Sequence, residues 1–126
     1  MSNIGNLSKQ ERKDRPMARG LLDYFPDALA EVAYISKIGN DQHNPGQELH
    51  WAKEKSTDHA DCILRHLADR GTMDTDGCRH SAKVAWRALA LLQTEIEQEI
   101  ALNKQKQQFE NVPKDYDSGS YWIITS

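Results

Sequence analysis

Apolar residues recur at helical spacing in three segments of the chain. The first segment follows Pro26, which suits the opening position of a helix because its missing N–H would have no partner there. Its apolar residues share one face over residues 27–38 and predict a helix: Ala28, Leu29, Val32, Ala33 and Ile35. Gly39 and Asn40 are a plausible C-terminal cap, and we predict that the helix stops there.

Two further helices are predicted, joined by a turn over residues 71–77. The second begins at Thr57, a good N-cap, and continues to about residue 69. Its polar stripe carries Asp58, Asp61 and Arg65, opposite an apolar stripe. The third helix covers about residues 79–104 and is apolar nearly all round between Val84 and Leu92. An apolar surface that wide predicts burial against both the other helices and another subunit.

These elements predict an all-α helical bundle over residues 15–104 of the 126-residue chain. Residues 1–14 are polar and are predicted to be flexible. Residues 15–25 mix Pro16 and Gly20 with apolar side chains, which predicts an irregular, packed lead-in rather than a long helix. Residues 105–126 are expected to form a C-terminal tail that docks on the bundle or on a neighbouring subunit.

Composition excludes several classes of function. The formal net charge is -3, which argues against bulk binding to nucleic acid, because neutralising phosphates needs a basic surface. No apolar run approaches the roughly 20 residues that span a bilayer, and the N-terminus has no apolar signal segment. Cys62 and Cys78 lack the spacing of a structural zinc site and are expected to be reduced thiols. We therefore expect a soluble cytoplasmic protein.

The connection over residues 40–56 has the composition of a nucleotide-binding loop. Asn44-Pro45-Gly46 is a strong turn signal, and long ordered loops in small domains are often functional. The loop carries amides that can read base edges, lysines that can meet phosphates, and Trp51, which can stack on a base. The alternative is that Trp51 is an anchor that packs the loop against the helices.

Acids at helical spacing suggest a metal site. Glu31 on the first helix and Asp58-x-x-Asp61 on the second face one point if the helices pack side by side. Mg²⁺ and Mn²⁺ favour carboxylate oxygens, and diphosphate oxygens can complete the coordination. The alternative is a solvated polar face. A second motif, Asp74-Thr75-Asp76-Gly77-x-x-His80, has its own alternative, in which Asp76 caps the third helix and His80 is a buried, hydrogen-bonded side chain.

Several of these residues follow one another in the order of a known family. They are Arg15-Pro16, Pro26-x-Ala28-Leu29-x-Glu31-Val32-Ala33, His43-Asn44-Pro45-Gly46, His50-Trp51, Leu64-Arg65-His66-Leu67 and Asp74-x-Asp76-Gly77-x-x-His80. The ordered set resembles the dATP/dGTP diphosphohydrolases, a phage-associated branch of the MazG-like all-α nucleoside triphosphate pyrophosphohydrolases. It looks most like the MazZ group from phages that replace adenine by 2-aminoadenine.

The resemblance implies hydrolysis of dGTP or dATP to monophosphate and diphosphate with Mg²⁺ or Mn²⁺, in a homo-oligomer, dimer or tetramer, with sites near subunit contacts. The wider MazG pattern is ExxE, a spacer and ExxD. Glu31 matches its first acid, Asp58 stands for the third with a shorter side chain, and Asp61 matches the fourth. Tyr34 departs from the second acid, and Asp27, Asp76 or His80 are the candidates to replace it.

Our hypothesis is a metal-dependent pyrophosphohydrolase of purine deoxynucleoside triphosphates. The predicted catalytic and metal residues are Glu31, Asp58 and Asp61, with Asp76 and His80 as further metal ligands. The predicted phosphate contacts are Lys37, Lys53, Arg65 and Lys83, and the predicted base or sugar contacts are Asn40, Asn44 and Trp51. The alternatives are a non-catalytic helical oligomerisation module and a metal-dependent triphosphohydrolase.

Overall fold

The structure is a computed structural model and describes residues 2–111. Its four α-helices are α1 (Lys9–Lys13), α2 (Pro26–His43), α3 (His59–Ala68) and α4 (His80–Glu110). A π-helical segment, Ala18–Leu22, lies in the lead-in, and short 3₁₀ turns occur at Ile4–Asn6 and Lys53–Lys55. Within residues 2–111 the β-structure amounts to one isolated bridge, Met73 to Arg79. The prediction of an all-α fold is therefore confirmed.

The observed end of α2 differs from the predicted one. The predicted end of α2 at Gly39–Asn40 is wrong, because Gly39 does not adopt a positive φ and the helix continues to His43. The turn begins instead at Asn44, whose carbonyl accepts a hydrogen bond from the Gln47 N–H, and Gly46 has the positive φ.

The ends of α3 and α4 also depart from the predictions. Asp58, rather than Thr57, is the N-cap residue of α3. Helix α4 extends past residue 104 to Glu110. Asp76 does not cap α4, because its Oδ1 accepts from the Cys78 N–H, two residues before the helix begins. The predicted docking of the tail concerns residues 105–126, of which residues 112–126 lie outside the described residues.

Helix α1 begins within the segment that was predicted to be flexible. Ser8 accepts a hydrogen bond from the Glu11 N–H, and the Glu11 carboxylate accepts one from the Ser8 N–H. This reciprocal capping box satisfies two backbone donors that a helix start leaves without partners. The Ser8 contacts are also the main reason that the pKa of Glu11 is lowered.

The chain divides within α4 into two units, Met1–Ala90 and Leu91–Ser126. In the first unit the buried apolar side chains are small: Cys62, Cys78, Ala82 and Ala90. Asn40, His59 and His80 are buried beside them as polar residues. Larger apolar side chains of this unit stay exposed, among them Leu64 at 65 %. In the second unit Leu92, Ile96 and Leu102 are exposed, and Gln93 donates to Glu97 one turn on.

Candidate functional site

The turn between α3 and α4 sets the geometry of a polar cluster. The Asp74 N–H donates to the Cys78 carbonyl at 2.7 Å, and the Gly77 N–H donates to the Asp74 carbonyl at 3.0 Å. Gly77 has φ +81°, a left-handed conformation that favours glycine because it has no Cβ. The Met73–Arg79 bridge then closes the turn. As a result, the first turn of α4 lies against the last turn of α3.

Lys83 on α4 bridges the two acids of this turn. Its Nζ lies 2.7 Å from Oδ2 of Asp74 and 2.7 Å from Oδ2 of Asp76. The other carboxylate oxygens accept from backbone, Asp74 Oδ1 from the Thr75 N–H at 2.7 Å and Asp76 Oδ1 from the Cys78 N–H at 3.0 Å. Both oxygens of each carboxylate therefore have a donor: one accepts from a backbone N–H and the other accepts from the Lys83 ammonium.

The charges in this cluster stabilise one another. The hydrogen bond from Lys83 is the main reason that the pKa values of Asp74 and Asp76 lie below the usual aspartate range. Burial alone would lower the pKa of Lys83, but its hydrogen bonds with the two aspartates outweigh burial and raise it. Burial, assisted by Asp76, raises the pKa of the neighbouring Cys78 thiol, which therefore stays protonated near neutral pH.

Two histidines meet beside the aspartates. Nδ1 of His66, near the end of α3, lies 2.9 Å from Nδ1 of His80 in the first turn of α4, so that one ring donates and the other accepts. Burial is the main reason that the pKa of His66 is lowered, and Lys83 and Arg65 add repulsion. His66 is therefore neutral at pH 7, the form in which imidazole binds metal.

His66, Asp74 and His80 form a candidate metal site. Their potential ligand atoms all lie within 4.8 Å of one another. Imidazole suits borderline cations, whereas carboxylate suits harder ones such as Mg²⁺ and Mn²⁺. The mixed donor set therefore fits a divalent cation, and His80 is one of the metal ligands predicted from the sequence.

A large pocket lies between the 44–56 loop and the helices of the first unit. Its volume is about 770 Å³, and its lining includes Asn40, Asn44 and Trp51, the three predicted base or sugar contacts. Asn40 is 5 % exposed and ties the loop to α2, since its Nδ2 donates to the Gln47 carbonyl and its Oδ1 accepts from the His50 N–H. The structure therefore brings the three predicted residues together, and their contact with a base stays a prediction.

Two tryptophans form the aromatic part of this pocket. The rings of Trp51 and Trp86 meet edge to face with centroids 5.5 Å apart. The Trp86 Nε1–H donates to Oγ of Ser36 at 2.8 Å and thereby joins α4 to α2. The Trp51 Nε1 is buried and has no hydrogen-bond partner among residues 2–111. Trp51 thus anchors the loop against the helices, which was the alternative to base stacking, and it also contributes to the wall of the pocket.

A smaller pocket of about 120 Å³ adjoins the polar cluster. It is lined by His66, Asp76 and Lys83 from the cluster. Three residues, Ile35, Gly39 and Trp86, line both pockets. The large pocket and the charged cluster are therefore neighbours, with Trp86 among the residues that they share.

The acids of the predicted metal pattern lie on α2 and α3. Asp58 Oδ2 accepts from the Cys62 thiol at 3.4 Å, which is the main cause of its lowered pKa, and its Oδ1 lies 3.7 Å from Nη1 of Arg87. Asp61 is exposed in the first turn of α3. Glu31 is exposed on α2, yet close enough to Cys78 to contribute to raising the pKa of its thiol. Within the described part of the chain, these three acids do not form a compact ligand group of the kind made by His66, Asp74 and His80.

Three of the predicted phosphate contacts have protein partners outside the cluster. Lys37 pairs with Asp41 at 3.0 Å on the exposed side of α2. Lys53 lies over the Trp51 ring, 5.0 Å from its centroid. Arg65 donates to Sγ of Cys62 at 3.5 Å. Lys83, the fourth, is the one that lines the small pocket.

Sequence reasoning missed His66 and Asp74 as potential metal ligands and Trp86 as a pocket wall. A signal for the first two was present, because both stand in the short motifs that carried the family resemblance. Trp86 lies within the apolar stretch of the third predicted helix, for which burial against the other helices and another subunit was predicted. His66 and His80 are 14 positions apart, and the turn between α3 and α4 is what brings them together.

A family model described as "dATP/dGTP diphosphohydrolase, N-terminal" matches residues 6–104. The chain belongs to this family. The dATP/dGTP diphosphohydrolase match includes both pockets and the charged cluster. It agrees with the MazG-like all-α fold expected from the resemblance. Comparisons with curated proteins and with solved structures gave no match. None of the helices within residues 2–111 is long and apolar enough to cross a membrane.

Proposed function

We propose that this protein is a metal-dependent hydrolase that converts purine deoxynucleoside triphosphates, dGTP and also dATP, to monophosphate and diphosphate. One observation carries the proposal beyond the family match: a pocket large enough for a nucleoside adjoins a cluster of imidazole, carboxylate and ammonium groups. Drug-sized ligands occupy pockets of about 300–1,000 Å³. A nucleoside in the large pocket would direct its phosphates past Trp86 towards the cluster.

The divalent cation is proposed to bind at His66, Asp74 and His80. Two imidazole nitrogens and one carboxylate favour Mn²⁺ over Mg²⁺, because Mg²⁺ binds almost entirely through oxygen. A divalent cation held there would supply positive charge that polarises phosphate oxygens. The family pattern adds Glu31, Asp58 and Asp61 as proposed metal ligands, and Asp76 holds one side of the cluster through Lys83.

The chain's own side chains would bind and orient the substrate. Trp51 and Trp86 offer aromatic surface to a purine. Asn44 presents an amide that can donate and accept, while Asn40 keeps the loop in place. Lys83 would meet the phosphates, because it lines the small pocket. Water is the proposed attacking group, and it breaks the bond between the first and second phosphates to leave monophosphate and diphosphate.

Purine selectivity follows from the size of the pocket and its polar groups. A pyrimidine would leave polar groups in such a pocket without partners, at a cost of about 1–3 kcal/mol for each group. An amide can turn to suit either the 6-oxo group of guanine or the 6-amino group of adenine, so both purines should be accepted. The resemblance to the MazZ group supports dGTP as the principal substrate, with dGMP feeding 2-aminoadenine nucleotide synthesis in a phage.

The test is incubation of the purified protein with each deoxynucleoside triphosphate and Mn²⁺, followed by chromatography of the products. Monophosphate plus diphosphate from dGTP and dATP supports the proposal. Nucleoside plus triphosphate would identify a triphosphohydrolase, and no turnover, with no change of thermal melting on adding Mn²⁺ and dGTP, would favour a non-catalytic module. Asp74→Asn should abolish turnover, whereas Asp23→Asn, an exposed acid outside both pockets, is the matched control.

The proposed active form is a homo-oligomer. Large apolar side chains are exposed in each unit taken by itself, including Leu64 and Leu89 in the first and Leu92 and Ile96 in the second. Exposed apolar residues that form a large patch usually mark an interaction site, and we propose that these side chains contribute to one. A second copy of the chain is the proposed partner because the family resemblance points to a dimer or a tetramer.

A further inference from the structure

The ammonium of Lys83 lies between the carboxylates of Asp74 and Asp76. It makes two hydrogen bonds of 2.7 Å, to Oδ2 of Asp74 and to Oδ2 of Asp76. The Lys83 side chain is 17 % exposed, and those of Asp74 and Asp76 are 25 % and 17 % exposed. Charge-assisted hydrogen bonds as short and sheltered as these are among the stronger polar contacts in proteins.

The same aspartate belongs to the candidate metal site. Asp74 is shared between Lys83 and the group formed with His66 and His80. Its Oδ1 is already held by the Thr75 N–H, so Oδ2 is the oxygen with the freer lone pairs, and Lys83 occupies it. The histidines likewise satisfy each other through their Nδ1 atoms. Each of the three ligand residues therefore already has a polar partner within the protein.

We propose that Lys83 is an internal competitor of the divalent cation, whose ammonium holds Asp74 and Asp76 until the cation binds and is then released towards the substrate phosphates. The Lys83 side chain has to move only a short distance, because it already lines the small pocket beside the cluster. Exchange of one cation for another keeps a positive charge beside these partly buried carboxylates, which avoids leaving their charge without a partner. The inference rests on the proposed function for the location of the metal site.

The primary experiment measures Mn²⁺ binding without nucleotide, by electron paramagnetic resonance of the free ion. Lys83→Met removes the competing ammonium and should bind Mn²⁺ at least tenfold more tightly than the wild type, a difference of about 1.4 kcal/mol. Lys83→Arg keeps a cation and should bind no more tightly than the wild type. Lys37→Met is the matched control, since Lys37 also pairs with an aspartate but lies on the exposed side of α2, and its Mn²⁺ affinity should not change. Equal or weaker Mn²⁺ binding by Lys83→Met overturns the inference.

A second measurement uses the wild-type protein and does not depend on any variant folding. Acetylation of lysines by acetic anhydride, followed by mass spectrometry, reports how accessible each ammonium is. Saturating Mn²⁺ should raise the acetylation rate of Lys83 severalfold relative to Lys37, and an unchanged ratio contradicts the release.

A third measurement compares steady-state kinetics. Lys83→Met should raise KM for dGTP more than it lowers kcat, because the variant loses a phosphate contact, and an unchanged KM contradicts the release towards the phosphates.

The two proposals fail in different ways. If Lys83→Met binds Mn²⁺ more tightly but no variant or wild-type protein hydrolyses a nucleotide, the competitor role stands and the proposed function falls. If the wild type hydrolyses dGTP and Lys83→Met binds Mn²⁺ like the wild type, the function stands and the competitor role falls.

Discussion

Replacing Asn40 by alanine should destabilise the protein before any nucleotide is present. The Asn40 side chain is 5 % exposed and makes two hydrogen bonds to the following loop, to the Gln47 carbonyl at 3.0 Å and from the His50 N–H at 3.2 Å. Each such bond contributes about 0.5–1.5 kcal/mol, and alanine removes both while leaving their backbone partners unpaired. The expected loss in the free energy of unfolding is therefore about 1–3 kcal/mol.

Urea denaturation followed by tryptophan fluorescence measures this loss. With a slope of about 2 kcal/mol per molar urea, the midpoint should fall by about 0.5–1.5 M. Protein concentration must be the same for all variants, because the midpoint of an oligomer depends on it. Asn44→Ala is the matched control: Asn44 lines the same pocket, its side chain makes no hydrogen bond with any residue in 2–111, and its change should stay within about 0.5 kcal/mol.

The outcome separates two roles of Asn40. If Asn40→Ala keeps wild-type stability but binds dGTP more weakly, Asn40 reads the base, and the argument that it orders the loop is refuted. If stability falls by the expected amount and added dGTP recovers part of it, Asn40 acts mainly by keeping the pocket wall in place. Asn40→Asp refines the result, because it retains an acceptor for the His50 N–H but sets a carboxylate against the Gln47 carbonyl.

Four further predictions follow from single contacts or from the family pattern. A double-mutant cycle of Trp86→Phe and Ser36→Ala should give a coupling energy of about 0.5–1.5 kcal/mol, and a value near zero would show that their 2.8 Å hydrogen bond adds no stability. Because the pKa of Asp76 is lowered in the folded state, its stabilising effect is present above about pH 4 and is lost as the pH falls further. The melting temperature of the wild type should thus drop more steeply below pH 4 than that of Asp76→Asn, and parallel curves would contradict this. Asp61→Asn should abolish hydrolysis with an unchanged circular dichroism spectrum, and near wild-type turnover at saturating Mn²⁺ would remove Asp61 from the metal ligands. Sedimentation should show an oligomer at micromolar concentration, and a compact, active monomer would end that expectation.

Local features of the sequence were sufficient for the helices and for one part of the candidate site. Apolar spacing and Pro26 are local signals, and they predicted the all-α fold and the start of α2 correctly. Asn44-Pro45-Gly46 predicted the turn correctly, because glycine readily adopts the positive φ that is found at Gly46. The composition of the following loop was enough to select Asn44 and Trp51, which the structure finds in one pocket wall.

Only the tertiary structure decided which polar groups meet. Gly39 was expected to end α2, but a glycine ends a helix only where the backbone turns left-handed, and here the helix continues through Asn40, whose side chain is tied to the loop. His66 and His80 have no local reason to be neighbours, and the closed turn between α3 and α4 places their Nδ1 atoms 2.9 Å apart. Lys83 was expected to meet phosphates, yet the same turn sets two aspartates around its ammonium. Periodicity reports which face of a helix a side chain occupies, whereas its partners depend on how distant segments pack, and that information is not local.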